Sequence, residues 1–234
     1  MDSFGSVAWS SVGKKVIMGL TGLFIFCFVI VHLIGNMTLL IGPDAFNNYA
    51  HFLETLLHGW FIYVFEAGML VLFLLHIVSA VNVAWVDKFA ARKTGYKYSK
   101  NAGGRSRKTI SSVTMIYGGL LLAVFIIAHI WLFKFGDHEV YGNDRENLYK
   151  TVVTAFKNPG FVVFTVVAMI FLGLHLRHGL WSAFQSLGWA NDRYLPVLER
   201  LALVAAWIFA VGYICLPVLM YFIGDPNTLP GGHH

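Results

Sequence analysis

Residues 14–36 read KKVIMGLTGLFIFCFVIVHLIGN, a pair of lysines followed by an apolar run that contains one histidine. At a rise of about 1.5 Å per residue, roughly 20 helical residues cross the hydrocarbon core of a bilayer. The run is also longer than the roughly 7–15 apolar residues of a signal-peptide core. We therefore predict a membrane-spanning helix that stays in the mature protein and places a histidine in the lipid.

The rest of the chain repeats this pattern. Of the 234 residues, 57% are hydrophobic and only 12% are charged, against roughly 25% charged in an average soluble domain. The mean hydropathy is +0.66. The sequence therefore predicts an all-α integral membrane protein, a single membrane domain over residues 1–234 with five transmembrane helices. We place the helices at approximately 16–41, 60–86, 113–135, 160–184 and 199–223.

Basic residues are unevenly divided between the two sides of these spans. Twelve Lys and Arg fall on the side of the N-terminus and four on the other side, with Arg177 inside the fourth span. The positive-inside rule then predicts a multi-pass protein of the cytoplasmic (inner) membrane with its N-terminus in the cytoplasm. Eight of the twelve lie in the loop at 87–112. Their position beside the membrane favours contact with anionic lipid over binding of nucleic acid.

Four of the ten histidines lie inside spans, one in each of the first four. An ionisable side chain in hydrocarbon costs a few kcal/mol unless it has a partner, so such residues are functional candidates. Helical rise places His32 and His129 together in the outer half of the membrane. By the same rise, His76 and His175 lie together nearer the cytoplasm. The four histidines therefore form two pairs at two depths.

Each pair of imidazoles suits the two axial positions of a haem iron, whose porphyrin can fill an apolar helix bundle. Zinc usually takes three or four protein ligands. We therefore predict that the first four helices form a bundle that binds two haem b groups. The outer haem is assigned to His32 and His129, and the inner haem to His76 and His175. His178, about one turn nearer the cytoplasm, is the alternative inner ligand.

Several short segments carry a resemblance to a known family. They are SVGKK at 11–15, MGLTG at 18–22, HLIGN at 32–36, His76, His129, and HLRHG at 175–179. On these residues the chain resembles the dihaem cytochrome b membrane anchors of succinate dehydrogenases and quinol:fumarate reductases, of the type with one five-helix anchor polypeptide. In this family the haem ligands of the first helix pair with those of the third, and those of the second with those of the fourth. The depths of the histidines give the same pairing here. Departures are the longer third connection at 136–158 and the additional His178.

The resemblance implies a subunit of a respiratory-chain complex that contributes to the tricarboxylic acid cycle. Its partners on the cytoplasmic face would be an FAD-containing flavoprotein and an iron–sulfur subunit, and its quinone would be menaquinone. The chain itself has no GxGxxG fingerprint and only two cysteines, so no dehydrogenase activity is expected of it alone. The direction of catalysis and the formation of a higher oligomer are left open.

Two acids and one arginine complete the predicted site. Glu66 is the only acid deep within a span, about 15 Å nearer the outside than His76. Because quinone chemistry exchanges protons, Glu66 is the first candidate for proton transfer and Glu54 the second. Their structural alternatives are a carboxyl bonded to a neighbouring helix for Glu66 and an ordinary interfacial acid for Glu54. Arg177 either pairs with a haem propionate or extends to the cytoplasmic boundary.

Two other functions share parts of this pattern. A dihaem cytochrome b subunit of a hydrogenase or formate dehydrogenase has a similar fold and a different partner. A transporter or proton channel uses membrane histidines as relays, but the sequence shows no inverted repeat in support of that function.

Overall fold

The computed structural model describes residues 9–85, 110–136, 140–141 and 145–228. Short 3₁₀ turns at Thr38–Leu40 and Leu56–Gly59 follow the first two helices. A two-stranded antiparallel ribbon pairs β1, Val140–Tyr141, with β2, Arg145–Glu146. The α-helices of these described ranges are α1 Ser11–Met37, α2 Pro43–Thr55, α3 Trp60–Val81, α4 Ile110–Lys134, α5 Leu148–Phe156, α6 Pro159–Ser186 and α7 Leu195–Ile223.

Five of these helices, α1, α3, α4, α6 and α7, are long and apolar enough to cross a membrane. This confirms the predicted all-α fold with five transmembrane helices and a multi-pass membrane protein. Large apolar side chains cover the outer faces of the spans, and Trp60 and Trp131 are each 72% exposed. Such surfaces are stable because lipid, rather than water, surrounds a membrane helix.

Four of the five spanning helices begin before the apolar runs that predicted them. α1 begins at Ser11 rather than at residue 16, and the Ser10 hydroxyl accepts a hydrogen bond from the Gly13 N–H at 3.1 Å. α7 begins at Leu195 rather than at residue 199. A helix continues as long as its backbone bonds and cap allow, whereas hydropathy marks only the part that lies in lipid.

The chain divides into two compact units. The first unit consists of Met1–Cys27, Gly68–Gly119 and Leu174–Ala206, and the second of Phe28–Ala67, Leu120–Gly173 and Trp207–His234. Each of the five long helices contributes residues to both units. The histidines predicted to lie at the inner level belong to the first unit, and those predicted to lie at the outer level belong to the second.

The helices α2 and α5 lie where the apolar pattern predicts connections. Both belong to the second unit, and a buried amide network joins them. The Asn47 side chain on α2 donates to Asn147 Oδ1 at 3.1 Å and accepts from the Tyr149 N–H at 2.9 Å. Asn147 also caps α5, because its Oδ1 accepts from the Lys150 N–H at 3.1 Å. This Asn47–Asn147 network fixes the start of α5 against α2.

Candidate functional site

In the second unit, His32 on α1 and His129 on α4 face each other. Their ring centroids are 5.7 Å apart and their planes are nearly perpendicular, at 84°. Phe28 stacks on His32 at 5.1 Å, and Phe133 packs edge-on against His129 at 5.0 Å. Each phenylalanine lies four residues from its histidine, so one helix face carries both rings. This outer pair therefore lies among aromatic side chains.

In the first unit, the ring of His76 on α3 faces the ring of His175 on α6. The centroids are 6.2 Å apart, with an angle of 62° between the planes. The ring of His178 packs instead against Trp181, edge-on at 5.1 Å. Of the two candidates on α6, His175 is the one that the fold brings to His76.

A backbone contact determines which ring nitrogen of His76 is available to a metal. Its Nδ1 lies 3.2 Å from the Met18 carbonyl oxygen on α1. Because a carbonyl can only accept, Nδ1 carries the proton and the lone pair of Nε2 is left for coordination. Nδ1 of His175 is buried and has no hydrogen-bond partner among the described residues.

The spacing of both pairs fits a metal held between two imidazoles. An imidazole nitrogen binds a first-row metal at about 2 Å, so two rings on opposite sides of one ion have centroids roughly 6 Å apart. The observed separations are 5.7 and 6.2 Å. Within the described ranges, no three His, Cys, Asp or Glu side chains come close enough together to bind a metal ion. The arrangement therefore suits haem iron, with two protein ligands, better than zinc, with three or four.

The fifth span adds a residue that the sequence analysis did not single out. The ring of Tyr213 on α7 lies 6.2 Å from the ring of His32, and its hydroxyl donates to the Val29 carbonyl at 2.8 Å. At the preceding residue, Gly212, a Cβ atom would lie 3.0 Å from a methyl group of Leu33, so the glycine allows α7 to approach α1. A tyrosine hydroxyl in the middle of a mostly apolar span is the signal that could have identified Tyr213.

Glu66 on α3 is paired with a cation. Its Oε1 accepts a hydrogen bond from Nζ of Lys134, the last residue of α4, at 2.6 Å. The two side chains are 39% and 45% exposed, respectively. The Lys134 ammonium compensates a carboxylate at this depth, a partner that the sequence analysis had counted only as an outer charge.

The remaining predicted site residues lie at exposed positions or outside the described residues. Glu54 is exposed on the last turn of α2, and Arg177 is exposed on α6, two residues after His175. The eight basic residues between the second and third spans, from Lys88 to Lys108, lie outside the described residues. The location of that loop remains a prediction from the sequence.

Comparison with known proteins agrees with the resemblance found in the sequence. The chain is similar to the succinate dehydrogenase cytochrome b558 subunit of Bacillus subtilis (strain 168), with 25% identity over 198 residues, 84% of this chain and 89% of that protein. The resemblance is confirmed. No family model and no solved structure matches the chain. The similarity extends over most of both proteins, so it concerns the membrane domain as a whole.

Proposed function

We propose that the chain is the cytochrome b membrane-anchor subunit of a succinate:quinone oxidoreductase, conducting electrons between an iron–sulfur subunit and menaquinone through two bis-histidine haems. The two facing histidine pairs, each drawn from two different spans, carry this proposal. The similarity to a succinate dehydrogenase cytochrome b558 subunit supports it independently.

The chain's own residues hold and insulate the cofactors. His32 and His129 hold the outer haem, and His76 and His175 hold the inner one. Haem iron, when bound, supplies one-electron transfer. The aromatic rings around the outer pair exclude water from its ligands. Arg177, whose side chain is exposed two residues after His175, neutralises a propionate.

The Glu66–Lys134 pair handles protons for the quinone. The Glu66 carboxylate takes up a proton when quinol is oxidised, and its bond to the Lys134 ammonium weakens as its charge is lost. Glu54, exposed at the end of α2, is the second candidate for this proton.

The partners are those that the resemblance implies, and the predicted orientation gives the side of the membrane on which they bind. With the N-terminus in the cytoplasm, the basic loop between α3 and α4 faces the cytoplasm and borders the surface for the iron–sulfur subunit. The FAD-containing flavoprotein binds to that subunit and carries out the succinate or fumarate chemistry. The anchor itself contributes membrane attachment, the haems and the quinone site.

A haem count tests the proposal. The purified chain should show b-type bands in a reduced-minus-oxidised spectrum, with two haems per chain by the pyridine haemochrome assay. The His32→Ala, His76→Ala, His129→Ala and His175→Ala variants should each retain one haem, while His58→Ala, in an exposed turn, should retain both. An absence of b-type bands in the unmodified chain contradicts the proposal.

Copurification separates the proposed complex from a hydrogenase or formate dehydrogenase. A tagged chain isolated from its own membranes in mild detergent should bring down a protein with covalently bound FAD, and succinate should reduce its haems. Reduction of the haems by hydrogen or formate, and not by succinate, indicates the alternative complexes.

A further inference from the structure

The first unit contains an oxygen atom beside His76 that the proposed function does not use. Oγ1 of Thr21, on α1, lies 3.4 Å from Nδ1 of His76, beside the Met18 carbonyl oxygen at 3.2 Å. Thr21 is buried, with 5% of the residue's surface exposed. A polar oxygen buried in a membrane helix next to a ring nitrogen forms a second contact to the predicted ligand.

The local geometry of α1 orients this oxygen as an acceptor. The Thr21 hydroxyl donates its hydrogen to backbone carbonyl oxygens of α1, with Ile17 O at 2.7 Å and Met18 O at 3.2 Å. A lone pair of Oγ1 is therefore left for the His76 N–H. The Nδ1 proton of His76 is therefore shared between two acceptors on the same helix turn, Thr21 Oγ1 and the Met18 carbonyl oxygen.

Gly22 provides the space for this contact. A Cβ atom at residue 22 would lie 3.2 Å from Cε1 and 3.5 Å from Nδ1 of His76. A methyl group there would press on the ring. A Cβ atom at Gly119 would lie 3.8 Å from Cε1 of His175, which is an ordinary van der Waals distance. Of these two glycines, Gly22 is therefore the one whose lack of a side chain allows a close approach to a histidine ring.

We propose that Thr21, together with the Met18 carbonyl and Gly22, is a positioning residue that fixes the tautomer and ring orientation of His76 and lowers the reduction potential of the inner haem. The assignment rests on the proposed function, because it requires His76 to be an axial ligand. An imidazole whose N–H is bonded to an acceptor donates more electron density through its other nitrogen, and this stabilises oxidised iron.

Two variants of Thr21 form the test. Thr21→Val keeps the shape of the side chain and removes the oxygen, whereas Thr21→Ser keeps the hydroxyl. Haem content and the midpoint potentials of both haems are measured by potentiometry on the purified full-length chain, with the inner haem identified as the one lost in His76→Ala. We expect Thr21→Val to raise the potential of the inner haem only, and Thr21→Ser to leave both potentials near those of the unmodified chain.

The outcomes separate the two proposals. Loss of the inner haem in Thr21→Val but not in Thr21→Ser also supports the positioning role, and so does reduced inner-haem occupancy in Gly22→Ala. An unchanged inner potential in a Thr21→Val protein with both haems overturns it, as does an equal shift of both haems. A lack of haem in the unmodified chain contradicts the proposed function instead.

Discussion

Histidine rings buried in spanning helices lose their hydration, at a cost of a few kcal/mol unless a partner is present. In this chain a second histidine lies opposite the first in each unit. Two neutral imidazoles facing each other can share at most one direct hydrogen bond, whereas a metal ion between them binds a lone pair of each ring. The paired arrangement is therefore more consistent with cofactor binding than with two unrelated polar contacts.

The choice between His175 and His178 gives the first prediction. His175→Ala should lose the inner haem and keep the outer one, so that one haem per chain remains. His178→Ala should keep both, because its ring packs edge-on against Trp181, whereas the ring of His175 is the one that faces His76. The number of haems per chain and the low-spin EPR signals distinguish these two variants. Loss of the inner haem in His178→Ala alone would move the ligand to that position.

The Glu66–Lys134 pair gives the second prediction. Glu66→Gln should preserve both haems and their reduction by dithionite, while lowering quinone-linked turnover by about 100-fold or more, as expected for a lost acid–base group. Gln has the shape of Glu and carries no charge, and Lys134 lies at the end of α4, so its ammonium can extend to the membrane boundary and the protein should remain folded.

Lys134→Gln is the matched control for that prediction, because it breaks the same ion pair and leaves the carboxylate. If proton exchange by Glu66 is what matters, Lys134→Gln should retain far more turnover than Glu66→Gln. Equal losses in the two variants would assign the effect to the ion pair, and near-normal turnover in Glu66→Gln would transfer the role to Glu54 or to water.

At the scale of elements, α2 and α5 show what hydropathy leaves out. With 13 and 9 residues, neither helix is long enough to cross a bilayer by itself, so the apolar pattern predicts connections at both places. Local signals were present nevertheless, since Pro43 begins α2 with Asp44 in its first turn and Asn147 caps α5. Their packing against each other depends on Asn47 meeting Asn147, a contact between residues far apart in the sequence.

The Asn47–Asn147 network gives the third prediction. Asn47→Ala leaves the Tyr149 N–H and part of the Asn147 side chain without their partners, at a cost of about 1–3 kcal/mol for buried polar groups. The midpoint of thermal unfolding in detergent should fall by about 5 °C, with both haems still bound at room temperature. Asn48→Ala, at an exposed position one residue away, should change it little. Equal midpoints for the two variants would show that the network does not stabilise the second unit.

At the scale of the whole molecule, the five spans were predictable because a bilayer requires a length and an apolarity that are visible in any single sequence. The histidine pairing was predictable as far as depth, since helical rise is constant. The rotation of each helix about its axis was not, because the spans are apolar on nearly all sides. Contacts that depend on helix rotation, such as Lys134 with Glu66 and Thr21 with His76, are therefore visible only in the structure.

Orientation in the membrane gives the fourth prediction. A cysteine placed at Lys93, in a background without Cys27 and Cys215, should react with a membrane-impermeant maleimide only in inside-out vesicles, because the positive-inside rule places this loop in the cytoplasm. A cysteine at Lys150 on α5 should react in intact cells. The reverse pattern would refute the orientation and the assignment of inner and outer haems.

The distribution of the ligand pairs over the helices also bears on biogenesis. Synthesis and membrane insertion proceed from the N-terminus, so His32 meets its partner on α4 while His76 must wait for His175 on α6. A nascent chain released after its third span would carry one complete pair and one orphaned ligand. The order of translation would therefore determine the order in which the two proposed haem sites can form.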